Sequence, residues 1–444
     1  MPPTRNLLLI TASSPDILRV RRSRVLNFQQ VTMPYLAAFV PPHWNVRHID
    51  EAVEPIDFDT PAEVVAITFH TPSAQHAYDI AERFRQRGVT VALGGPHVTL
   101  MPDEAQLHAD TIFVGEAEST WPQFLADFEA GHYRNRYCCD ETPSLDDAPA
   151  SRHDLFHRRD HTSGALFATR GCAYRCDFCT LAVMYRSQLR KRPVEAVAAE
   201  YASFPGKVVI LWDDNIAGDI AYAKELFRAL APHRKWWSAQ ASIHGAADDE
   251  FLDLAARSGC KQLFLGFESI SQASLNAVAK AFNRVEDYAR AIARVHAHGI
   301  AVQAGIVFGF DHDTPAIFDD TLDFLESCGV QNATFNILTP FPGTRLFEKL
   351  KSEGRILTRD WMKYNGRDDV VFTPRHMTAE ELLAGFRRAN ARFYSCRSIA
   401  RRLSRSPTQV FWTLPLNAAY ALALQRARQS GLEQFQGNSR SFAD

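Results

Sequence analysis

Three cysteines, Cys172, Cys176 and Cys179, fall in the run Thr169-Arg-Gly-Cys-Ala-Tyr-Arg-Cys-Asp-Phe-Cys-Thr180, directly after an apolar stretch, Ala165-Leu-Phe-Ala168, that reads as a strand. Thiolates on one short loop can each take a different iron of a [4Fe–4S] cube, whose full set of ligands is four. A loop that supplies three leaves one iron open to an outside ligand, and an open iron is a place for chemistry. Two duller readings compete. A structural zinc site takes four ligands, and no fourth cysteine or near histidine completes this one. A disulfide is disfavoured because the chain opens Met1-Pro-Pro-Thr-Arg-Asn6 with no long apolar signal region, which predicts a cytoplasmic, thiol-reducing setting. Cys138, Cys139, Cys260, Cys328 and Cys396 are scattered and read as small hydrophobes.

The pattern Cys-x-x-x-Cys-x-aromatic-Cys, with Phe178 before the last cysteine, resembles the signature of the radical S-adenosylmethionine (radical SAM) enzymes. The resemblance implies that Cys172, Cys176 and Cys179 hold the cluster and that the open iron is chelated by the amino and carboxylate groups of SAM. Reductive cleavage of SAM then gives methionine and a 5′-deoxyadenosyl radical, which takes hydrogen from an unactivated carbon. The cofactors carry this chemistry while protein orients the reactants and excludes solvent. Gly266-Phe-Glu-Ser269 resembles the motif whose Glu268, with the backbone around Gly266 and Ser269, receives the methionyl amino end. Gly305-Ile-Val-Phe-Gly309 resembles the glycine strand beside the adenine, and Phe178 is implied on the same ring. Asp213 and Gln240, each at the end of an apolar strand, complete the expected cofactor contacts. For Asp213 and Asp214 a hydrogen bond to ribose or substrate stands beside a purely local turn or helix cap.

The elements that must position these residues fall in two sets. In a first domain expected over 1–137, short apolar strands at 7–10, 64–68, 89–93 and 111–114 alternate with helical stretches, one of which, at 74–87, is stopped by Gly88. Strand, helix, strand in this order predicts a Rossmann-like, doubly wound parallel sheet, which binds ligands past the carboxyl ends of its strands. Those ends read Thr68-Phe-His-Thr-Pro72, Gly94-Gly-Pro-His97 and Gly115-Glu-Ala-Glu118, so Gly94, Gly95 and Glu116 are the candidate contacts there. The runs 93–105 and 109–121 resemble the cobalamin-binding domain found ahead of many radical SAM enzymes, which implies a corrin over these ends. The Asp-x-His-x-x-Gly loop by which some cobalamin proteins supply a lower-face histidine is absent, and the sequence assigns the cobalt no such ligand. A scaffold domain without corrin is the alternative, because fold does not fix function.

A polar, proline-punctuated connector follows over 138–162. Between 163 and 345 six apolar strands, at 165–169, 208–212, 236–241, 262–266, 302–308 and 333–338, alternate with helices. Six units rather than eight predict an open, partial TIM-type β/α barrel with its chemistry at the strand carboxyl ends. Residues 346–444 read as a substrate-covering, mostly helical region, with a helix at 379–394 and with Trp361 and Tyr364 as packing or pocket residues. Arg397, Arg401, Arg402 and Arg405 form a basic face expected to be solvated. The apolar stretch 410–424 is short of the ~20 residues of a membrane span and contains Pro415 and Asn417, so membrane contact is not expected.

A chain of 444 residues exceeds one compact core. Its net charge of -2, from 49 Lys and Arg against 51 Asp and Glu, gives no basic field to recruit nucleic acid. The expectation is an α/β radical SAM enzyme acting on a small molecule, with cobalamin-dependent C-methylation as the leading reaction and a flavodoxin or ferredoxin as reductant. The rivals are a cobalamin-free radical dehydration or rearrangement, for instance of a sugar diol, and a non-catalytic iron–sulfur or zinc protein.

Overall fold

The structure is a computed structural model and describes residues 5–19, 28–157, 161 and 163–438. Residues 1–4 and 20–27 of the expected N-terminal domain, 158–160 and 162 of the expected connector, and 439–444 lie outside the described residues.

The first sheet has the four expected strands and two more: β1 (Arg5–Thr11), β2 (Trp44–Asp50), β3 (Val64–Thr68), β4 (Thr90–Gly94), β5 (Thr111–Val114) and β6 (Arg136–Cys138). All pairs are parallel, in the order β2-β1-β3-β4-β5-β6. The two strands without a clear sequence signal are the edges. β2 carries Asn45, Arg47, His48 and Asp50, so it shows no apolar run, and β6 is three residues long. Central strands are buried on both faces: Leu8, Ile10, Val65 and Ile67 join one core, Leu7, Leu9, Val64 and Ala66 the other. Cover on both faces is why these strands read as continuous apolar runs.

The second sheet contains β7 (Gly164–Leu166), β10 (Val208–Leu211), β11 (Trp236–Ala241), β12 (Cys260–Glu268), β13 (Ala301–Phe308) and β14 (Asn332–Ile337), again all parallel and in that order. β7 and β14 remain unpaired with each other, so the barrel is open and six-stranded, as the pattern predicts. A two-residue hairpin, β8 (Thr169–Arg170) with β9 (Arg190–Lys191), splits the expected strand 165–169 and carries the cysteine loop beyond it. Along β12 and β13 one face is fully buried under the surrounding helices (Leu263, Leu265, Phe267, Val302, Ala304, Ile306) while Phe264, Gly266, Glu268, Gln303 and Val307 stay half-open or flank the glycines. That second face lines the concave side of the sheet.

The helix Ala379–Phe393 starts with a capping box between Thr378 and Glu381 and sets Phe393 edge-on against Phe335 of β14. The helix Val410–Asn438 lies beneath the barrel, where Trp412 Nε1 donates to Gln262 Oε1 (3.0 Å) and Gln303 to Tyr420 (3.4 Å). Among the described residues no helix is long and apolar enough to cross a membrane. The basic face departs from expectation at Arg402, which is fully buried: its guanidinium is held by the carbonyls of Val330 (2.9 Å), Gln331 and Phe393 (2.8 Å), by Asn417 Oδ1 (3.1 Å), and by the Phe393 ring. Charge spacing along a helix cannot reveal that a carbonyl-rich strand end waits on its other side. Arg401 and Arg405 pair with Glu326 and with the Glu326 and Ser327 carbonyls.

Candidate functional site

The cysteine loop leaves β8 through Gly171, whose φ is +84° and where a Cβ would lie 2.0 Å from the Gln188 carbonyl oxygen. Only glycine fits there. The loop is then fastened from several sides. Gly171 N–H donates to Asp214 (2.7 Å), Asp177 N–H to the Val278 carbonyl (3.1 Å), and Leu346 N–H to the Asp177 carbonyl (2.9 Å). The Tyr174 ring stacks on Phe282 at 3.8 Å, and its hydroxyl meets His244 Nδ1 at 2.8 Å.

Burial pushes the Cys176 thiol up to about 12 and raises Cys179, with the Lys280 ammonium and the Leu181 and Ala182 N–H groups acting the other way on these sulfurs. Asn215 Nδ2 points at Cys172 Sγ (3.9 Å). Sulfurs of which Cys176 is buried and Cys172 and Cys179 half-buried, with N–H donors and the Lys280 cation beside them, suit thiolates that share their charge with iron. Among the described residues no three His, Cys, Asp or Glu side chains converge as a single ion requires; a cube instead takes one sulfur per iron. The donor set therefore fits a cluster.

Opposite the loop, Glu268 ends β12 at φ +65°, a rare conformation for a residue with a side chain, at a bulge in the β12–β13 ladder. Its carboxylate bonds Lys280 Nζ (2.9 Å). Burial disfavours the Lys280 charge, but Glu268 and the neighbouring thiols outweigh it and raise its pKa. Gly266 makes room for this pair, since a Cβ there would lie 2.6 Å from Glu268 Oε1. Gly305 lies beside Gly266 in register, and Phe178, half-buried, packs edge-on against Phe310 (5.9 Å). Gln240 is exposed on the same open side, in register with Phe264.

Three other expected contacts have close neighbours within the protein. Asp213 is fully buried and accepts from Ala168 N–H (3.2 Å), Thr169 N–H (2.5 Å) and the Thr169 hydroxyl (2.7 Å). Burial raises its pKa to about 6 against these hydrogen bonds. These partners sit at the end of the neighbouring strand, so the carboxylate is neither in a local turn nor a helix cap. Ser269 is buried and its hydroxyl accepts from Ser271 N–H (3.0 Å). The space a Cβ at Gly309 would enter is taken by Leu382 and Phe372. Asn215 and Lys280 stand at the site without any motif to mark them, and only proximity in the fold reveals them; Arg170 belongs to the cysteine run, but its acidic partners are apparent only in the fold.

Between the two sheets lies a cavity of 740 Å³, toward the upper end for small-molecule sites. Its floor is the carboxyl ends of the first sheet, Thr11 to Ser14, Thr68 to His70, Gly94 to Pro96 and Gly115 to Glu118; its roof includes Arg170, Thr180, Leu181, Met184 and Tyr185 of the cluster loop region. Glu116 does not face a ligand freely: Arg170 (2.6 Å) and Arg190 (2.8 Å) both pair with it, and Arg170 pairs with Glu118 too. Asp50 Oδ2 and both ring nitrogens of His161 line this wall buried, 3.7 Å apart at their nearest and without a hydrogen-bond partner among the described residues. Unsatisfied polar atoms at a cavity wall fit a bulky ligand with peripheral amides, such as a corrin. The C-terminal region closes on the same domain, where Trp361 Nε1 donates to Glu104 (2.9 Å) and Tyr364 is fully buried as packing.

A parallel Rossmann-like sheet stacked on an open barrel whose cysteine loop faces the cavity defines a two-domain iron–sulfur enzyme architecture, and the comparisons agree. The radical SAM superfamily model matches residues 166–325, the B12-binding domain model 21–125, and a domain of unknown function 344–418. Bacteriochlorophyllide d C-12(1)-methyltransferase of Chlorobaculum tepidum is 31% identical over 88% of this chain and 89% of its own. The C-8(2)-methyltransferase of the same organism is 28% identical over 91% and 92%. The solved radical SAM methyltransferase TsrM of Kitasatospora setae, with tryptophan and a SAM analogue bound, shares the fold at TM-score 0.66 and 18% identity over 79% of this chain and 76% of that one. The chain belongs to the radical SAM superfamily, in its cobalamin-dependent methyltransferase branch. It is an enzyme that works with a [4Fe–4S] cluster, SAM and cobalamin, which favours C-methylation over the cobalamin-free alternative.

Proposed function

We propose that this enzyme methylates an unactivated carbon on a tetrapyrrole of the chlorin type, and that it does so in the cytoplasm with a flavodoxin or ferredoxin as electron donor. The observation that carries the reading is the cavity bounded by the strand ends of the first sheet on one side and the cluster-loop region on the other. It opens between the strand ends that would carry a corrin and the loop region that would carry the cluster, so a substrate lodged there would lie between the two. The bound cofactors supply reductive SAM cleavage, hydrogen abstraction and a methyl group.

The chain's own residues bind and orient. Cys172, Cys176 and Cys179 would hold the cluster, with Asn215 and Lys280 placing a donor and a cation beside the sulfurs. Glu268 would accept the methionyl amino group, trading part of its bond to Lys280 for it. Phe178 and the strand through Gly305 would flank the adenine, and Gln240 would reach its polar edge from the open face. The backbone at Gly94, Gly95 and Gly115 would lie against the corrin, while Glu116 acts through Arg170 and Arg190 as a positioning residue. Asp213 keeps the end of β7 in shape. Enclosure between the two sheets would keep thiols, oxidants and other outside reactants away from a carbon radical.

The substrate class is supported by the two bacteriochlorophyllide methyltransferases that align along nearly the whole chain. The test is anaerobic incubation of cluster-reconstituted, cobalamin-loaded protein with methyl-deuterated SAM, reductant and bacteriochlorophyllide d. A tetrapyrrole heavier by one labelled methyl, with 5′-deoxyadenosine, is expected. Abundant 5′-deoxyadenosine with no labelled tetrapyrrole would refute the substrate class.

A further inference from the structure

The cysteine loop has an outer side. Thr180, Leu181, Met184 and Tyr185, just beyond it, line the cavity between the sheets, whereas Tyr174 and Arg175, between the first two cysteines, do not. Tyr174 is two residues from Cys172 and two from Cys176. Its ring stacks on Phe282 with centroids 3.8 Å apart and 12° between the planes, and the exposed His244 ring lies 5.8 Å from both. The three rings come from the loop, the turn after β11 and the segment that follows β12, and Tyr174 and Phe282 are only half-buried. A flat aromatic slab therefore connects solvent with the neighbourhood of the cysteines.

Arginines accompany the slab. Arg175 is exposed and has no hydrogen-bond or ion-pair partner among the described residues. Arg284, two residues past Phe282, pairs with Glu286, and Arg345 lies 3.5 Å from Asp177 of the loop; both guanidinium side chains are well exposed. Behind the stack, Lys280 Nζ sits 5.4 Å from the centre of the Phe282 ring and is balanced by Glu268. Each of these acids is matched by a cation, so Arg175 leaves the face with an excess of positive charge.

We propose that the face carrying Tyr174, Phe282, His244 and Arg175 docks the acidic one-electron donor protein that reduces the cluster, an assignment that rests on the function and the class of donor proposed above. Electron transfer between proteins weakens steeply with distance, so the donor has to present its reduced group where the cysteine loop meets solvent, and the cavity side of the loop faces the first sheet instead. Aromatic rings and arginine are the side chains that interface cores favour. Unmatched positive charge selects an acidic partner and speeds the encounter. In the docked pair the donor is oxidised by one electron and the cluster is reduced by one; no bond forms or breaks and no proton moves.

The test uses the full-length, cluster-reconstituted protein with a reduced flavodoxin as the probe, and with reduced methyl viologen as a small reductant that needs no docking surface. Calorimetric titration is expected to show flavodoxin binding that weakens about tenfold in R175E and in R284E and that fades with added salt. Anaerobic stopped-flow absorbance should show cluster reduction by flavodoxin slowed in step with binding in both variants, while viologen reduces them no more slowly than the unaltered protein. K207E, which changes an exposed charge ahead of β10 at the opposite end of the barrel, is expected to leave both measurements as they are. Flavodoxin that binds and reduces R175E and R284E as it does the unaltered protein, or that binds none of them while viologen still reduces the cluster, overturns the docking assignment and leaves the methylation reading standing. A protein whose cluster viologen cannot reduce overturns both.

Discussion

At the scale of single residues, the site depends on what sits beside the conspicuous groups. Glu268 is placed by a left-handed backbone at the end of β12 and already holds one ammonium, Lys280. Charge-assisted hydrogen bonds contribute about 1.5–3 kcal/mol, so E268Q should weaken SAM binding about tenfold to a hundredfold while iron content stays unchanged, as read by equilibrium dialysis on reconstituted protein. G171A, which places a methyl group against the Gln188 carbonyl and demands a positive φ from alanine, should lose most cluster iron while the chain stays folded by circular dichroism. The three cysteines, Phe178 and the Gly266 to Ser269 run were legible because they are close in sequence. Asn215 and Lys280 were not, because each meets the site only after a strand and a loop have brought it there, and Asp213 was ambiguous because a strand-end carboxylate looks the same whether it faces a ligand or its neighbour's backbone.

At the scale of elements, β/α alternation made both sheets readable, and their interior strands fall where apolar runs predict. Edge strands and the β8–β9 hairpin escaped because two or three residues, or a polar edge, carry no period. The C-terminal region escaped in part as well, since a buried arginine looks like a solvated one until its carbonyl partners are known. Arg402 now gives a sharp expectation: R402A strands three buried carbonyls and an asparagine side chain and should destabilise the protein by about 3–5 kcal/mol in urea unfolding. Asp311, after β13, fastens Lys349 (2.9 Å), Arg355 (2.8 Å) and Arg375 (3.2 Å). Burial opposes its ionisation, but Arg355 and Lys349 outweigh it and hold the carboxyl at about 2 against an ordinary 3.8. A depressed carboxyl pKa stabilises the fold above the unfolded value and loses that contribution as pH falls through the folded one. D311N should therefore cost about 2 kcal/mol at neutral pH, and the difference from the unaltered protein should shrink between about pH 4 and pH 2, where the native carboxyl also becomes protonated.

At the scale of the whole molecule, the ion pairs of Arg170 and Arg190 with Glu116 join the loop after β5 to the strands that frame the cysteine loop. The spacing between the first sheet's strand ends and the cluster-loop region is thus set by half-buried charges. R170A should leave SAM cleavage active but waste it, raising the ratio of 5′-deoxyadenosine to methylated product severalfold when both are quantified by mass spectrometry. The central claim, that one chain carries an open-iron cube on the barrel and a corrin on the Rossmann-like sheet, is tested most directly by iron, cobalt and zinc analysis of anaerobically reconstituted protein. About four irons and one cobalt per chain are expected, with iron lost and cobalt kept when Cys172, Cys176 and Cys179 are all replaced by alanine. Protein that retains zinc but no iron, or that binds iron yet takes up no cobalt, would contradict the account.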